Sequence, residues 1–393
     1  MKSSYCGREL EAKQTQIGEE AMTRRERLIA TFEDREVDRI PVSTYELDAF
    51  DNERLRRDSG YRRLLDRVEA SADLFYPWGP RVVSEGLGHF LTATEEVVSE
   101  RKIHEEGEAT VTVTTVRAPK GTLRQVRRSV PGLDTTWQTE HFLKTDADIE
   151  TLLSIPYVPQ ALDCSSFQEV DERIGEKGLL HISLPDPLCV VAELFEFGEF
   201  TVRAMTETER IERLLDLFWV RIRAYLQAIL DAGVTGVFRI CGPEYATPPY
   251  LPPEKFHAYV VPYVKEMNRM IEKVGGYSRF HCHGKIGNVL DSILETEPHA
   301  LEPLEPPPDG DISLEELVAR AGEQVVLMGN IETRELEFLG EDEMRCRVRE
   351  ALRVGRQASR GFVLLPTACP TSMTLSPATE RNYEIFLEEP GVD

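Results

Sequence analysis

The sequence predicts an α/β fold, a (β/α)8 barrel, and three observations carry that class. Eight short β-like runs alternate with helical pattern along the 393 residues. Such alternation gives a parallel sheet with crossover helices, and eight repeats favour a closed barrel over an open sheet. Polar and metal-capable residues concentrate just after these runs, where a barrel of this kind places its reacting groups. One β-branched stretch breaks the alternation and reads as an antiparallel β insertion between strands two and three.

Taken in order, Met1 to Ala21 is polar, carries both signs of charge and has no apolar core of a signal peptide. It is expected to be a flexible extension. A single barrel domain, 22–393, then opens with the helical stretch that begins Thr23-Arg24-Arg25-Glu26. Strand one is Ile40–Tyr45, followed by helix Glu53–Ala70, and strand two is Leu74–Tyr76. The insertion covers about 95–141. Its Ala109-Thr110-Val111-Thr112-Val113-Thr114-Thr115-Val116, the turn at Pro119-Lys120-Gly121 and the run from Leu123 to Val130 suit a meander. Helical pattern resumes at Asp146–Leu153 and Phe167–Ile174. Strand three, Leu179–Leu184, precedes helical Val190–Ala232, and strand four is Gly236–Ile240. Helix Pro253–Val274 leads to strand five, Tyr277–His283, and helix Ile286–Glu295 to strand six, Ala300–Pro303. The Pro-rich acidic segment Leu304–Asp311 is a loop, with Asp311 at or near the cap of helix Ser313–Ala321. Strand seven is Val325–Gly329, helix Glu341–Ala358 follows, and strand eight, Phe362–Leu365, leads to helix Pro377–Leu387.

Composition narrows the function. Hydrophobic residues make up 41%, enough for a buried core, and the formal charge is −23 from 46 basic and 69 acidic residues. That charge disfavours nucleic acid and anionic membrane surfaces and suits small-molecule chemistry. No apolar run reaches the length of about 18 residues that a transmembrane helix needs. Seven cysteines are scattered without a CxxC pair, the pattern of a cytoplasmic protein with buried thiols or metal ligands rather than disulfides.

The sharpest motif is His281-Cys282-His283-Gly284. In a strand, positions i and i+2 share a face, so both imidazoles project to one side and Cys282 faces the helix layer. Two neutral imidazoles are the start of a zinc site, although two hydrogen-bonded structural histidines fit an isolated pair equally well. Cys369, after strand eight, is the best third ligand. His281, His283 and Cys369 would leave a fourth zinc position open, as in a catalytic site. Alone, Cys369 would be a small apolar thiol in a turn, and Cys241 is its rival. Glu244, after strand four, could be a base, a ligand or a substrate contact, against a loop carboxylate bonded to backbone amides. Glu302 and Glu305 flank rigid prolines and suit acid/base work or orientation of the histidines, against a solvated acidic loop. Other strand ends carry Glu46, Asp48, Asp186, Asn330 and Glu332. Neither GxGxxG, a GxxxxGK[ST] loop nor a GxSxG elbow occurs.

Several of these stretches together resemble the uroporphyrinogen decarboxylase-like superfamily, and within it the branch of cobalamin-dependent methyltransferases. They are Thr23-Arg24-Arg25-Glu26-Arg27 with Asp38-Arg39-Ile40-Pro41-Val42, Pro252-Pro253-Glu254-Lys255-Phe256 with Pro262-Tyr263, His281-x-His283-Gly284, Gly329-Asn330-Ile331 and Asn382-Tyr383. The resemblance implies a (β/α)8 barrel. It also implies zinc that activates a small molecule, and a corrinoid protein as partner for methyl transfer. That branch has His-x-Cys plus a later Cys, so His283 stands where its relatives carry cysteine. Zinc on two imidazoles and one thiolate would be the stronger Lewis acid. True porphyrinogen decarboxylases carry an arginine-rich motif after the first strand. Here Thr44-Tyr45-Glu46-Leu47-Asp48-Ala49-Phe50 is acidic and would repel a tetra-anionic porphyrinogen. The leading expectation is a zinc-dependent methyltransferase. Its rivals are a metal-independent decarboxylase of the same fold, which an arginine-lined pocket would favour, and a non-catalytic corrinoid- or tetrapyrrole-binding protein.

Overall fold

The structure, a computed structural model, describes residues 21–47, 50, 52–133 and 135–391, and thirteen strands form among these described residues. In chain order they are β1 Leu74–Pro77, β2 Arg81–Val82, β3 Val98–Glu106, β4 Ala109–Ala118, β5 Gly121–Ser129, β6 Thr136–Glu140, β7 Leu162–Asp163, β8 Gly178–Pro185, β9 Val237–Cys241, β10 Tyr277–His281, β11 Ala300–Glu302, β12 Val326–Ile331 and β13 Phe362–Pro366. Seven of them make one parallel sheet in the order β1-β8-β9-β10-β11-β12-β13, with helices in the connections. The architecture is α/β and TIM-like. The expected extension 1–21 lies outside the described residues but for Ala21, as does Asp48.

The stretch expected as strand one, Ile40–Tyr45, forms a single parallel bridge, Val42 to Leu364, rather than a strand. Pro41 has no N–H to give to a ladder. Ser43 N–H donates to Leu364 O at 3.0 Å, and Leu364 N–H to Pro41 O at 2.9 Å. On its other side, Val42 O accepts from Asp73 N–H at 2.7 Å, and Val42 N–H donates to the Asp73 carboxylate at 2.8 Å. Residues 41–43 therefore touch both β13 and Asp73, the residue just before β1, at the two edges of the sheet. The fully buried Asp73 also pairs with Arg27 at 2.6 Å and Arg39 at 2.8 Å. It ties the first helix, Arg24–Phe32, to this junction.

β3, β4, β5 and β6 form a separate antiparallel meander. In the chain it falls between the first and second strands of the parallel sheet. The helical stretch expected over Val190–Ala232 is three helices, Pro187–Leu194, Phe197–Thr206 and Thr208–Asp231. Asp186 caps the first of them, with Pro187 at its start, and Glu196 caps the second. The helix Leu314–Ala321 is capped by Ser313, while Asp311 instead accepts from Gly287 N–H at 2.8 Å.

Alternation along the parallel strands sorts side chains into two cores. Phe238, Ile240, Phe280, Cys282, Leu301 and Leu327 pack outward against the helices. Val237, Ala300, Val326, Met328, Val363 and Leu365 pack inward, joined by Leu28 and Phe32 of the first helix and by Tyr45. Cys282 thus lies in the outer core, as its parity with the two histidines requires.

Candidate functional site

The inward parity of β9 and β10 places charge inside the sheet. Two residues beyond Val237 stands Arg239, in register with Arg279, and His281 is in register with Glu302 on β11. All four are buried, and Glu302 is wholly so. One Glu302 oxygen accepts from Arg239 Nε at 2.8 Å and from His281 Nδ1 at 3.1 Å; the other accepts from Arg279 Nη2. Arg239 Nη2 donates to His281 Nε2 at 3.1 Å and to the Tyr45 hydroxyl, and Nη1 pairs with Glu46 at 2.5 Å. The guanidinium of Arg239 lies 4.9 Å from the centre of the Tyr45 ring, and that of Arg279 lies 4.9 Å from the centre of the Phe75 ring.

These contacts fix the state of His281. Its Nδ1 carries the proton given to Glu302, and its Nε2 lone pair faces Arg239. Burial, reinforced by the charges of Arg239, His283 and Arg279, holds its pKa well below the ordinary histidine value. Burial and Arg239 push Arg279 down to about 9, still a cation at neutral pH. For Arg239, burial works against the charge but nearby acidic groups outweigh it, and its pKa is raised.

His283 is in a different environment. Its ring lies 4.6 Å from that of His281, centre to centre, and its side chain is 31% exposed. Its Nδ1 bonds the Glu305 carboxylate at 2.6 Å, while the other Glu305 oxygen takes the N–H of Gly284. Gly284 sits at φ +84°, the left-handed turn that lets this N–H meet the carboxylate. Burial opposes the charged ring, but Glu305 and then Glu244 outweigh it, so the pKa of His283 is raised. Glu305 is correspondingly lowered: burial pushes it up, and the bond to His283 brings it down further. Glu244 is raised by burial, and accepts from Gly242 N–H at 3.1 Å. Cys241 beside it is pushed up to about 11 by burial.

The expected zinc donors do not make a set in this arrangement. His281 and His283 come together, but both nitrogens of His281 are engaged, and its Nε2 is held against a guanidinium. A zinc ion there would meet a fixed positive charge. Cys369 is half-buried and packs against both the inner and outer cores. Among the described residues, no group of three or more His, Cys, Asp or Glu side chains is placed to hold a metal ion.

Sequence reasoning missed Arg239, Arg279, Tyr45 and His181. The signal was present: Arg239 and Cys241 on one strand, and Arg279, His281 and His283 on the next, share one parity. His181 Nδ1 and Arg279 Nε are buried without a partner among the described groups. Glu332, beyond β12, also has an unpartnered buried oxygen, and burial and the charge of Glu305 raise its pKa to about 7.

Fold and site thus define a TIM-like α/β protein with an ionisable network inside its parallel sheet. Residues 187–379 match the family model for uroporphyrinogen decarboxylase (URO-D), a span that includes His281, His283 and Cys369. The fold is similar to a methyltransferase from Methanosarcina mazei, at 14% identity over 94% of this chain and 99% of that one, with a TM-score of 0.59. The resemblance to the uroporphyrinogen decarboxylase-like superfamily read from the sequence motifs therefore holds. A D-psicose 3-epimerase with D-tagatose from Clostridium cellulolyticum H10 aligns at 11% identity over 56% of this chain and 73% of that one, with a TM-score of 0.31. No curated protein matches the chain.

Proposed function

We propose that this chain is an enzyme of the uroporphyrinogen decarboxylase-like superfamily that moves a methyl group from a small molecule held beside His283. The observation that carries the reading is the His283–Glu305 pair, 2.6 Å apart and partly open to solvent. Breaking a bond between a methyl carbon and a heteroatom leaves an electron pair on the heteroatom. A protonated His283, kept charged by Glu305, supplies the proton that neutralises it. Glu244 adds negative charge that favours the protonated ring. His281 stays neutral and fixed, and serves to position Arg239. A corrinoid carried by a partner protein would supply the methyl acceptor. Zinc belongs to this reading only if Arg239 vacates His281 Nε2, so no step is assigned to it.

The buried pair Arg239 and Arg279 favours a second reading, decarboxylation of an acid other than a porphyrinogen. There His283 would protonate the carbanion left when carbon dioxide departs. The test is incubation with O-, N- and S-methylated small molecules and reduced cobalamin, with mass analysis of the products and of released carbon dioxide. Methyl loss that falls about 100-fold or more in His283→Gln supports the proposal. Methyl loss unchanged in that variant sinks it, and carbon dioxide release without methyl loss favours the second reading.

A further inference from the structure

Among the described residues, the charges inside the sheet do not balance without a side chain from the solvent edge. Arg239 and Arg279 are both buried, and one buried carboxylate, Glu302, bridges them. Two cations against one anion leave a net positive charge in a low-dielectric interior, a costly arrangement unless a further anion approaches. Glu46 is that anion in this structure. It pairs with Arg239 Nη1, yet its side chain is 45% exposed whereas that of Arg239 is 5%. Its backbone is at φ +48°, the left-handed region that a residue with a side chain enters at a cost. Glu302 is fixed by three buried donors. Glu46 has one ion pair among the described residues, from the open side.

We infer that Arg239 is the receptor for an anionic carboxylate of the substrate, and that Glu46 occupies its place until the substrate displaces it. A carboxylate in the place of Glu46 would accept from Arg239 Nη1, since Nε is held by Glu302 and Nη2 by His281 and Tyr45. It would lie beside His281, whose ring centre is 4.6 Å from that of His283, so the reacting bond of a small acid falls within reach of the proton donor. The unpartnered Arg279 Nε–H and the unpartnered ring nitrogen His181 Nδ1 in the same interior are further polar groups that an acidic guest or its water can satisfy. The inference rests on the reading of this mouth as the substrate site, and it adds the class of substrate: a small carboxylic acid.

The test uses acetate as probe and acetamide as its uncharged isostere, at constant ionic strength, with saturation-transfer NMR on the full-length protein. Glu46→Gln removes the competing carboxylate, so acetate should bind roughly fivefold tighter than to the wild type. Arg239→Gln added to Glu46→Gln should abolish that binding, and acetamide should not bind either protein. Equal acetate affinity in the wild type and Glu46→Gln would overturn the inference, as would acetamide binding as well as acetate. Glu46→Gln alters only a half-exposed side chain, so the comparison survives should the Arg239 variant fail to fold. Turnover of His283→Gln is read separately, and its outcome bears on the reaction, not on this anion site.

Discussion

At the scale of single residues, His281 and His283 share a face but not a state. Burial and Arg239 hold His281 toward the neutral form, and Glu305 shifts His283 toward the protonated form. A proton donor whose pKa is raised works below that value and fails as pH rises through it. Turnover is therefore expected to fall on an alkaline limb placed above the ordinary histidine pKa of about 6.5. Glu305→Gln removes the main group that raises it, so the limb should move to lower pH, with a rate loss of about tenfold. A pH–rate profile that stays put in Glu305→Gln would break the assignment. The same pair contributes to stability fully between about pH 4.5 and pH 6.5; the contribution is lost as pH rises through the raised His283 value and as pH falls through the lowered Glu305 value. Glu332 moves stability with pH in the same direction as His283, because its folded pKa is also raised. Its folded pKa of about 7 lies above the usual carboxylate value, so its ionisation opposes folding as pH rises. Glu332→Gln should raise the melting temperature by about 2 °C at pH 8 and change it little at pH 4. Equal shifts at both pH values would show that the carboxyl is not strained by its surroundings.

At the scale of elements, one buried carboxylate fastens the junction between the first helix and the edges of the sheet. Asp73 accepts from Arg27, Arg39 and Val42 N–H. Asp73→Asn breaks the buried pair with Arg27 and leaves Asp38, at 2.6 Å, as the anion on that guanidinium; a broken buried pair costs about 3 kcal/mol. Urea unfolding should show that loss, and a change below about 1 kcal/mol would mean that the ion cluster does not hold the junction. The same junction explains what the sequence showed of the first strand. Ile40–Tyr45 has strand composition, but Pro41 cannot donate and the N–H of Val42 goes to a side chain, which composition does not reveal. Strands β8 to β13 were legible because their apolar runs are bounded by helical pattern. The meander was legible because its β-branched residues alternate. The division of Val190–Ala232 into three helices was not, because it depends on caps at Asp186 and Glu196 inside a continuous apolar pattern.

At the scale of the whole molecule, the position of the site was readable and its wiring was not. Strand parity put His281 and His283 on one inner face, and the Pro-rich segment put Glu302 and Glu305 nearby. Parity could not say that Arg239 would take the second nitrogen of His281, because that contact joins neighbouring strands in a register only the folded sheet defines. A charged residue in a strand also reads first as a solvated face, so the two buried arginines went unnoticed. Cys369 follows β13 in a segment without regular structure, where spacing does not fix direction. The zinc expectation drew on these three residues, and the folded arrangement makes it testable. With Arg239 seated on His281, protein purified and dialysed against zinc-free buffer should hold far less than one equivalent of zinc. His281→Ala, His283→Ala and Cys369→Ala should not lower that content further. Arg239→Ala, by contrast, frees Nε2 of His281 and removes the repelling charge, and should raise zinc uptake if the three donors can converge. Near-stoichiometric zinc in the wild type, lost in each of the three ligand variants, would mean that the interior rearranges around the metal. Glu302, still bonded to His281 Nδ1, would then orient a ligand rather than a structural ring.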